Sequence, residues 1–177
     1  MSAIYPGFPE PSEFIPYAAQ YVRLVPEADV VKALRDSVDE VAAFAAPWNI
    51  ERAQTWRYQP GKWTLCEVLG HLCDTERIFS YRALRIARGD KTPLPSFDQD
   101  LFVANAPYDT FTPAELIEEL RALRKTTVSL YAHLTQDAWS RMGTSSNHPF
   151  SVRAFAYLTV GHERHHLNIL RERYTLE

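Results

Sequence analysis

Cysteine is scarce in this chain. Only Cys66 and Cys73 occur in 177 residues, seven apart in a segment that reads as helix, a rise of about 10 Å against a disulfide limit of about 7 Å. That excludes a disulfide framework and leaves both as small buried hydrophobes. Offsets of five and two residues from His71 turn them to the far side of the helix, so they are not its partners on a metal. Charge of one sign is also missing. Nineteen basic and 22 acidic residues give a formal net charge of −3, with no electrostatic footprint for a phosphate backbone, so a nucleic-acid partner is not expected. No apolar run approaches the roughly 20 residues that span a bilayer. The start, Met1-Ser2-Ala3-Ile4-Tyr5-Pro6, lacks the basic region and apolar stretch of a signal peptide. A cytoplasmic protein without a membrane partner is the expectation. There is no period-two run to predict a strand, no internal repeat of about 20 to 50 residues, and nothing that identifies a nucleotide or cofactor loop.

What is present is a 46% hydrophobic composition, enough for one domain with a full core. Residues 1–25 hold Pro6, Pro9, Pro11 and Pro16 among Tyr5, Phe8, Phe14, Tyr17 and Tyr21. That proline density predicts an extended arm whose aromatics dock on the domain, with one short helix near Tyr17 to Val22. Residues 26–177 then carry four amphipathic segments. Val31, Leu34, Val38, Val41 and Ala45 recur at spacings of three and four before Pro47. After the Pro60-Gly61 turn, Thr64-Leu65-Cys66-Glu67 is a capping box that starts a second helix, which runs to about Arg88 with Leu65, Val68, Leu72, Thr75 and Phe79 buried. His71 lies at the edge of that stripe and faces inward. A proline-rich connection, residues 89–111, is longer than most within compact domains and marks a crossover or lid. A second capping box, Thr112-Pro113-Ala114-Glu115, opens the helix striped by Leu116, Leu120, Leu123, Thr127, Leu130 and Leu134. The fourth helix begins near Ser151, with Phe155, Thr159, His162, His166 and Ile169 on one face. The fold class is all-α, a four-helix bundle.

Three of the six histidines fall within Gly161-His162-Glu163-Arg164-His165-His166. Positions four apart share a helix face at about 5 to 6 Å between Cβ atoms, so His162 and His166 can grip one ion. With the inward His71 they make a three-nitrogen site between facing helices. His165 is the rival to His166; three positions from His162 gives about −60° around the helix and four gives about +40°, which favours His166 mildly. His133 and His148 sit at a helix end and in a loop, where surface packing accounts for them. The string His162-Glu163-x-x-His166 matches the zinc-protease motif. Only eleven residues follow it, however, and their acidic members, Glu172 and Glu177, lie on or beyond the same helix, so the third ligand of that class is missing. A di-iron carboxylate bundle needs Glu-x-x-His on two helices, and Glu67 and His71 are one residue too far apart.

The runs Pro60-Gly61-Lys62-Trp63-Thr64, Glu67-Val68-Leu69-Gly70-His71-Leu72-Cys73-Asp74-Thr75-Glu76-Arg77 and Gly161 to His166, taken as a set, resemble the DinB-like (DinB/YfiT) superfamily. The resemblance covers roughly residues 28–174 and leaves the arm outside. It implies an up-down-down-up bundle with residues 89–111 as the long crossover between helices two and three. It implies a divalent ion, zinc or nickel, held by His71, His162 and His166. Members include transferases that use low-molecular-weight thiols and a thiol-dependent isomerase, and dimers are common, so a homodimer is expected.

Three neutral histidines leave the ion's charge uncompensated and a coordination position open, the pattern of a catalytic site. Such a site serves hydrolysis or thiol activation. Glu163 and Asp74 are candidate proton carriers. Glu163 is rotated about 100° from His162, and Asp74 could instead orient a histidine from behind, so neither is assigned a role. The expectation is a metal-dependent enzyme acting on a small molecule, by thiol S-transfer to an electrophile. A metal-dependent hydrolase and a non-catalytic, stress-related metal-binding bundle are the alternatives.

Overall fold

The computed structural model describes residues 6–174; Tyr5 of the arm, and Glu177, lie outside them. The arm contains two proline-led 3-10 turns, Pro11–Glu13 and Pro16–Ala18, then one short helix, α1 (Ala19–Val22). Proline's fixed φ suits the first position of a turn, and its missing N–H prevents extension into a long element.

Four long helices follow where the apolar spacing places them. Asp29 caps α2 (Val30–Ala45) by accepting from the Lys32 amide at 2.9 Å. The chain then makes a short helix, α3 (Ile50–Thr55). Both capping boxes form: the Thr64 hydroxyl and the Glu67 carboxylate satisfy each other's backbone amides at the start of α4 (Leu65–Ala87). The crossover carries α5 (Gln99–Asn105) and a 3-10 turn, Tyr108–Thr110. Thr112 and Glu115 then open α6 (Pro113–Ala132). After α7 (Gln136–Ser140), Ser151 caps α8 (Val152–Arg173) through the Ala154 amide. No helix among the described residues is long and apolar enough to cross a membrane.

Contacts fix the directions. Trp63, just before α4, accepts from Tyr174, just after α8, at 2.7 Å, so those two helices are antiparallel. Cys73 and Glu76 of α4 meet Leu116 and Arg124 of α6 in ascending order, so these two are parallel. Arg124 also reaches Leu34 while Arg121 reaches Asp39, which makes α2 and α6 antiparallel. The order is up-down-down-up, and residues 89–111 are the crossover that a parallel pair requires.

One expectation is corrected. The segment around His148, ahead of the fourth helix, reads as loop, yet residues 142–151 form an antiparallel hairpin of β1 (Met142–Ser145) and β2 (His148–Ser151), paired from Met142 with Ser151 to Ser145 with His148. Ser146 and Asn147 turn it with φ of 52° and 64°, the left-handed pair of a two-residue hairpin turn. Strands of four residues are too short for alternation to show. The hairpin holds the crossover, because Leu94 N–H donates to Thr144 at 2.9 Å and the Ser146 N–H donates back to Leu94 at 2.9 Å.

The arm is bound to α8 by polar contacts along its length. Glu13 accepts from Ser151 at 2.6 Å and from Arg153 at 2.7 Å. Arg164 donates to the Leu24 carbonyl at 2.9 Å and pairs with Glu27, and the Tyr157 hydroxyl donates to the Glu27 carbonyl at 3.1 Å. Between these clamps the backbone closes on Gly161, where an added Cβ would stand 2.1 Å from the Tyr21 carbonyl oxygen. A main-chain oxygen cannot rotate away as a flexible side chain can. Gly161→Ala, though it gains helix propensity, is therefore expected to destabilise the fold by about 1–3 kcal/mol and to free the arm. Denaturant melts and faster proteolysis between α1 and α2 check this.

Candidate metal centre

The capping box sets where α4 begins, and the packing of α4 against α8 brings His71 to face it. One turn apart on α8, His162 and His166 face back. Their side chains meet: His71 Nε2 lies 3.2 Å from His162 Nε2, which lies 3.1 Å from His166 Nε2. One ligand-capable atom from each residue falls within 4.8 Å of the others. Imidazole nitrogens bound at about 2.0–2.1 Å in tetrahedral geometry stand roughly 3.3 Å apart, so the separations from His162 to His71 and to His166 are those of ligands to a single divalent ion. A proton shared between two of the nitrogens would leave the third without a partner.

His71 and His162 are buried and His166 is nearly so. Burial pushes the His71 imidazole down to about 4. His162 and His166 are held well below the ordinary histidine range, by burial first and then by their neighbours in the cluster. Neutral imidazole is the form that ligates metal. Around them, the Trp63 ring lies 4.8 Å from His71 and stacks at 6.3 Å on His166. Phe79 and Tyr21 meet His162 edge-on at 6.0 and 5.5 Å.

His165 points elsewhere, with its ring against Tyr21 at 5.1 Å. His133 caps α6 with Nδ1 2.7 Å from the Ser129 carbonyl, and His148 is exposed on β2. Both cysteines are buried and unpaired, their thiols donating to the Phe111 and Leu116 carbonyls. Asp74 does not stand behind a histidine: it accepts from the Tyr108 hydroxyl at 2.5 Å and lies beside Arg77. Behind His71 is Thr75, its hydroxyl 3.5 Å from Nδ1. Glu163 turns into the bundle interior and pairs with Arg124 at 2.6 Å. Arg124 escaped the sequence reading. Its signal was there, since Leu116, Leu120, Arg124 and Thr127 follow one another at the spacing of a buried face.

Beside His166 opens a cleft of about 520 Å³ whose walls include Lys62, Trp63, Tyr174 and, from the start of α5, Gln99 and Asp100. The crossover thus lines the approach to the cluster. A larger groove of about 600 Å³ lies between α2 and α6, bounded by Ala42, Ala46, Trp48 and Ile117, and none of the three histidines lines it.

The model of the DinB superfamily matches residues 33–170. The chain belongs to the DinB superfamily. Its arm precedes the matched region. A protein of Oceanobacillus iheyensis, provisionally named a metal-dependent hydrolase, is 29% identical over 113 residues, which are 62% of this chain and 64% of the relative. The solved structure of YfiT from Bacillus subtilis, described as a probable metal-dependent hydrolase with an unusual four-helix bundle topology, superposes with a TM-score of 0.73 at 18% identity. That match covers 93% of this chain and 89% of YfiT, and it shows the fold that this DinB superfamily chain shares.

The depressed imidazoles make stability depend on pH. An unfolded histidine takes up a proton near pH 6.5, whereas His71 in the fold resists until about 4. Its contribution is therefore complete above about pH 6.5 and lost as pH falls toward 4. For metal-free protein, His71 alone accounts for about 2 kcal/mol between pH 7.5 and 5. Urea midpoints at the two pH values measure the loss.

Proposed function

We propose that this chain is a metal-dependent enzyme acting on a small molecule, with a zinc- or nickel-class ion held by His71, His162 and His166. The observation that carries the reading is the convergence of three imidazoles, two buried and one half-buried, with Nε2 atoms 3.1 and 3.2 Å apart along the cluster. The grouping contains three residues among those described. A structural site is closed by a fourth protein ligand, so three favour an open, catalytic one. A divalent ion so held supplies a Lewis acid that favours the anionic form of water or of a thiol.

Of the two reactions, we favour transfer of a low-molecular-weight thiol to a small electrophile. The sulfur forms the new bond, the leaving group departs with its electron pair, and the thiol proton passes to solvent. Support comes from the carboxylates near the cluster. Glu163 and Glu76 pair with Arg124 and Asp74 accepts from Tyr108, none of the three lines the cleft beside His166, and a thiol held there as thiolate would need no carboxylate base. In this reading the domain of residues 26–177 carries the chemistry, the arm of residues 1–25 covers it with its described part, residues 6–25, and the cleft lined by Lys62, Gln99 and Asp100 admits the substrate. Hydrolysis is the second reading, favoured by the activity for which the Oceanobacillus and Bacillus proteins are named.

Protein made without a histidine tag is expected to carry about one ion per chain by elemental analysis. His71→Ala, His162→Ala and His166→Ala should each abolish tight binding while His165→Ala only weakens it; each tenfold loss is about 1.4 kcal/mol. If His165→Ala strips the ion and His166→Ala keeps it, the ligand set is wrong. The reaction is tested by incubating metal-loaded protein with a panel of cellular thiols and a general electrophile. Mass spectrometry follows the adducts, with His71→Ala as control. Ester and amide hydrolysis run in parallel. Metal-dependent adducts support thiol transfer, and metal-dependent hydrolysis without them moves the assignment to hydrolase.

A further inference from the structure

Behind the histidine cluster lies a small cavity with polar groups from Thr75, Glu76, Arg124, Thr159, His162 and Glu163, its remaining lining being Leu72, Phe79 and Leu120. About 10 Å³ of it is open to the centre of a water molecule, room for one. Glu163 is 2% exposed. Its Oε2 accepts from Arg124 at 2.6 Å, while its Oε1 is buried with no protein partner. A carboxylate oxygen in that position costs a few kcal/mol unless something donates to it. Glu76, by contrast, spends both oxygens on Arg124, at 2.9 and 3.1 Å from Nε. Two further groups face the same space. His162 commits Nε2 to the cluster, so Nδ1 is the nitrogen left for a second contact. The Thr75 hydroxyl, near His71 Nδ1 at 3.5 Å, is a donor that can turn into the cavity. A ligating histidine characteristically donates its other N–H to a carboxylate, carbonyl or water, which fixes the ring and raises its basicity.

We propose that Glu163 is a positioning residue for the metal centre, acting through one internal water that links its Oε1 to the back of His162 and to Thr75. The inference rests on the reading that His71, His162 and His166 hold an ion. The water donates to Glu163 and accepts from the His162 ring, which sets the tautomer that leaves Nε2 free to ligate. Arg124 holds Glu163 in place, and the surplus negative charge of two carboxylates against one guanidinium lies behind a cluster of three neutral ligands. The neighbouring positions 162 and 163 thus serve opposite sides of one device, the imidazole gripping the ion and the carboxylate steadying the imidazole.

The experiment titrates cobalt(II) into the metal-free full chain against a competing chelator and reads both affinity and the visible ligand-field bands. Glu163→Gln is expected to bind at least tenfold more weakly, with altered bands and with a metal-free melting temperature that shows it folded. Glu76→Gln, which removes a carboxylate from the same guanidinium but leaves Glu163 Oε1 in place, is expected to stay within threefold. Unchanged affinity and bands in Glu163→Gln overturn the proposal. Equal losses in both variants overturn it too, since they reduce Glu163 to a packing or general charge role. If Glu163→Gln does not fold, Thr75→Val is read in its place: weaker binding with altered bands supports the water link, and wild-type behaviour overturns it. Failure of the wild-type chain to bind cobalt would sink the three-histidine reading itself, and this inference with it, and is distinguishable from failure of the variants alone.

Discussion

One guanidinium ties the four long helices together. Arg124 projects from α6 into the interior, where it donates to Glu76 of α4, to Glu163 of α8, and to the Ser37 hydroxyl and Leu34 carbonyl of α2. All three of its nitrogens are used. A cation this deeply buried costs several kcal/mol to desolvate, and only good geometry and added hydrogen bonds offset that. The arrangement is therefore less a source of net stability than a condition on packing. A helix out of register or of reversed direction would leave a charge or a carbonyl unmatched at the centre of the bundle. The histidines sit next to this junction, with His162 preceding Glu163 and His71 one turn and a half before Glu76, so the packing that satisfies Arg124 also sets the spacing of the imidazoles.

The helices were legible because each buries one face. Spacings of three and four among Leu34, Val38 and Val41, or Leu116 and Leu120, state the face directly, and Thr64-x-x-Glu67 and Thr112-x-x-Glu115 mark starts through local hydrogen bonds. His162 and His166 were legible for the same reason, being one turn apart. Less was visible where the decisive partner is remote. Asp74 is adjacent in sequence to the His71 segment, yet its partner is Tyr108, 34 positions away. Glu163 was noticed beside His162, but its tie to Arg124 depends on the rotation of two helices whose mutual phase no local pattern encodes. Helix direction came from the family resemblance and not from periodicity, since an amphipathic stripe reads the same both ways. The hairpin of Met142–Ser151 was hidden by its brevity, and its turn residues, Ser146 and Asn147, are ones that serve loops equally well.

The arm shows a third kind of information. Its prolines declared what it could not be, a long helix, but not where it goes. Gly161 decides the place. The missing side chain on α8 admits the Tyr21 carbonyl, and the ion pairs of Glu13 and Glu27 hold the segment on both sides of that contact. Tyr21 comes to rest on His162 and His165 as a result, and a segment outside the family match becomes part of the wall of the cluster.

The parallel run of α4 and α6 has a consequence for how such a protein can change over generations. Because the two helices point the same way, the chain must return along the whole bundle, about 30 Å for a helix of this length, and that return path passes His166. The three histidine positions are fixed by helix faces and by the demands of Arg124, so they tolerate little drift. The return path is anchored at Leu94, Pro95, Tyr108 and Phe111, but between these anchors residues 98–102 are exposed, and Gln99 and Asp100 among them line the cleft. Selection can therefore rewrite residues 98–102, and with them the wall of the cleft, while the histidine cluster and its supports stay as they are.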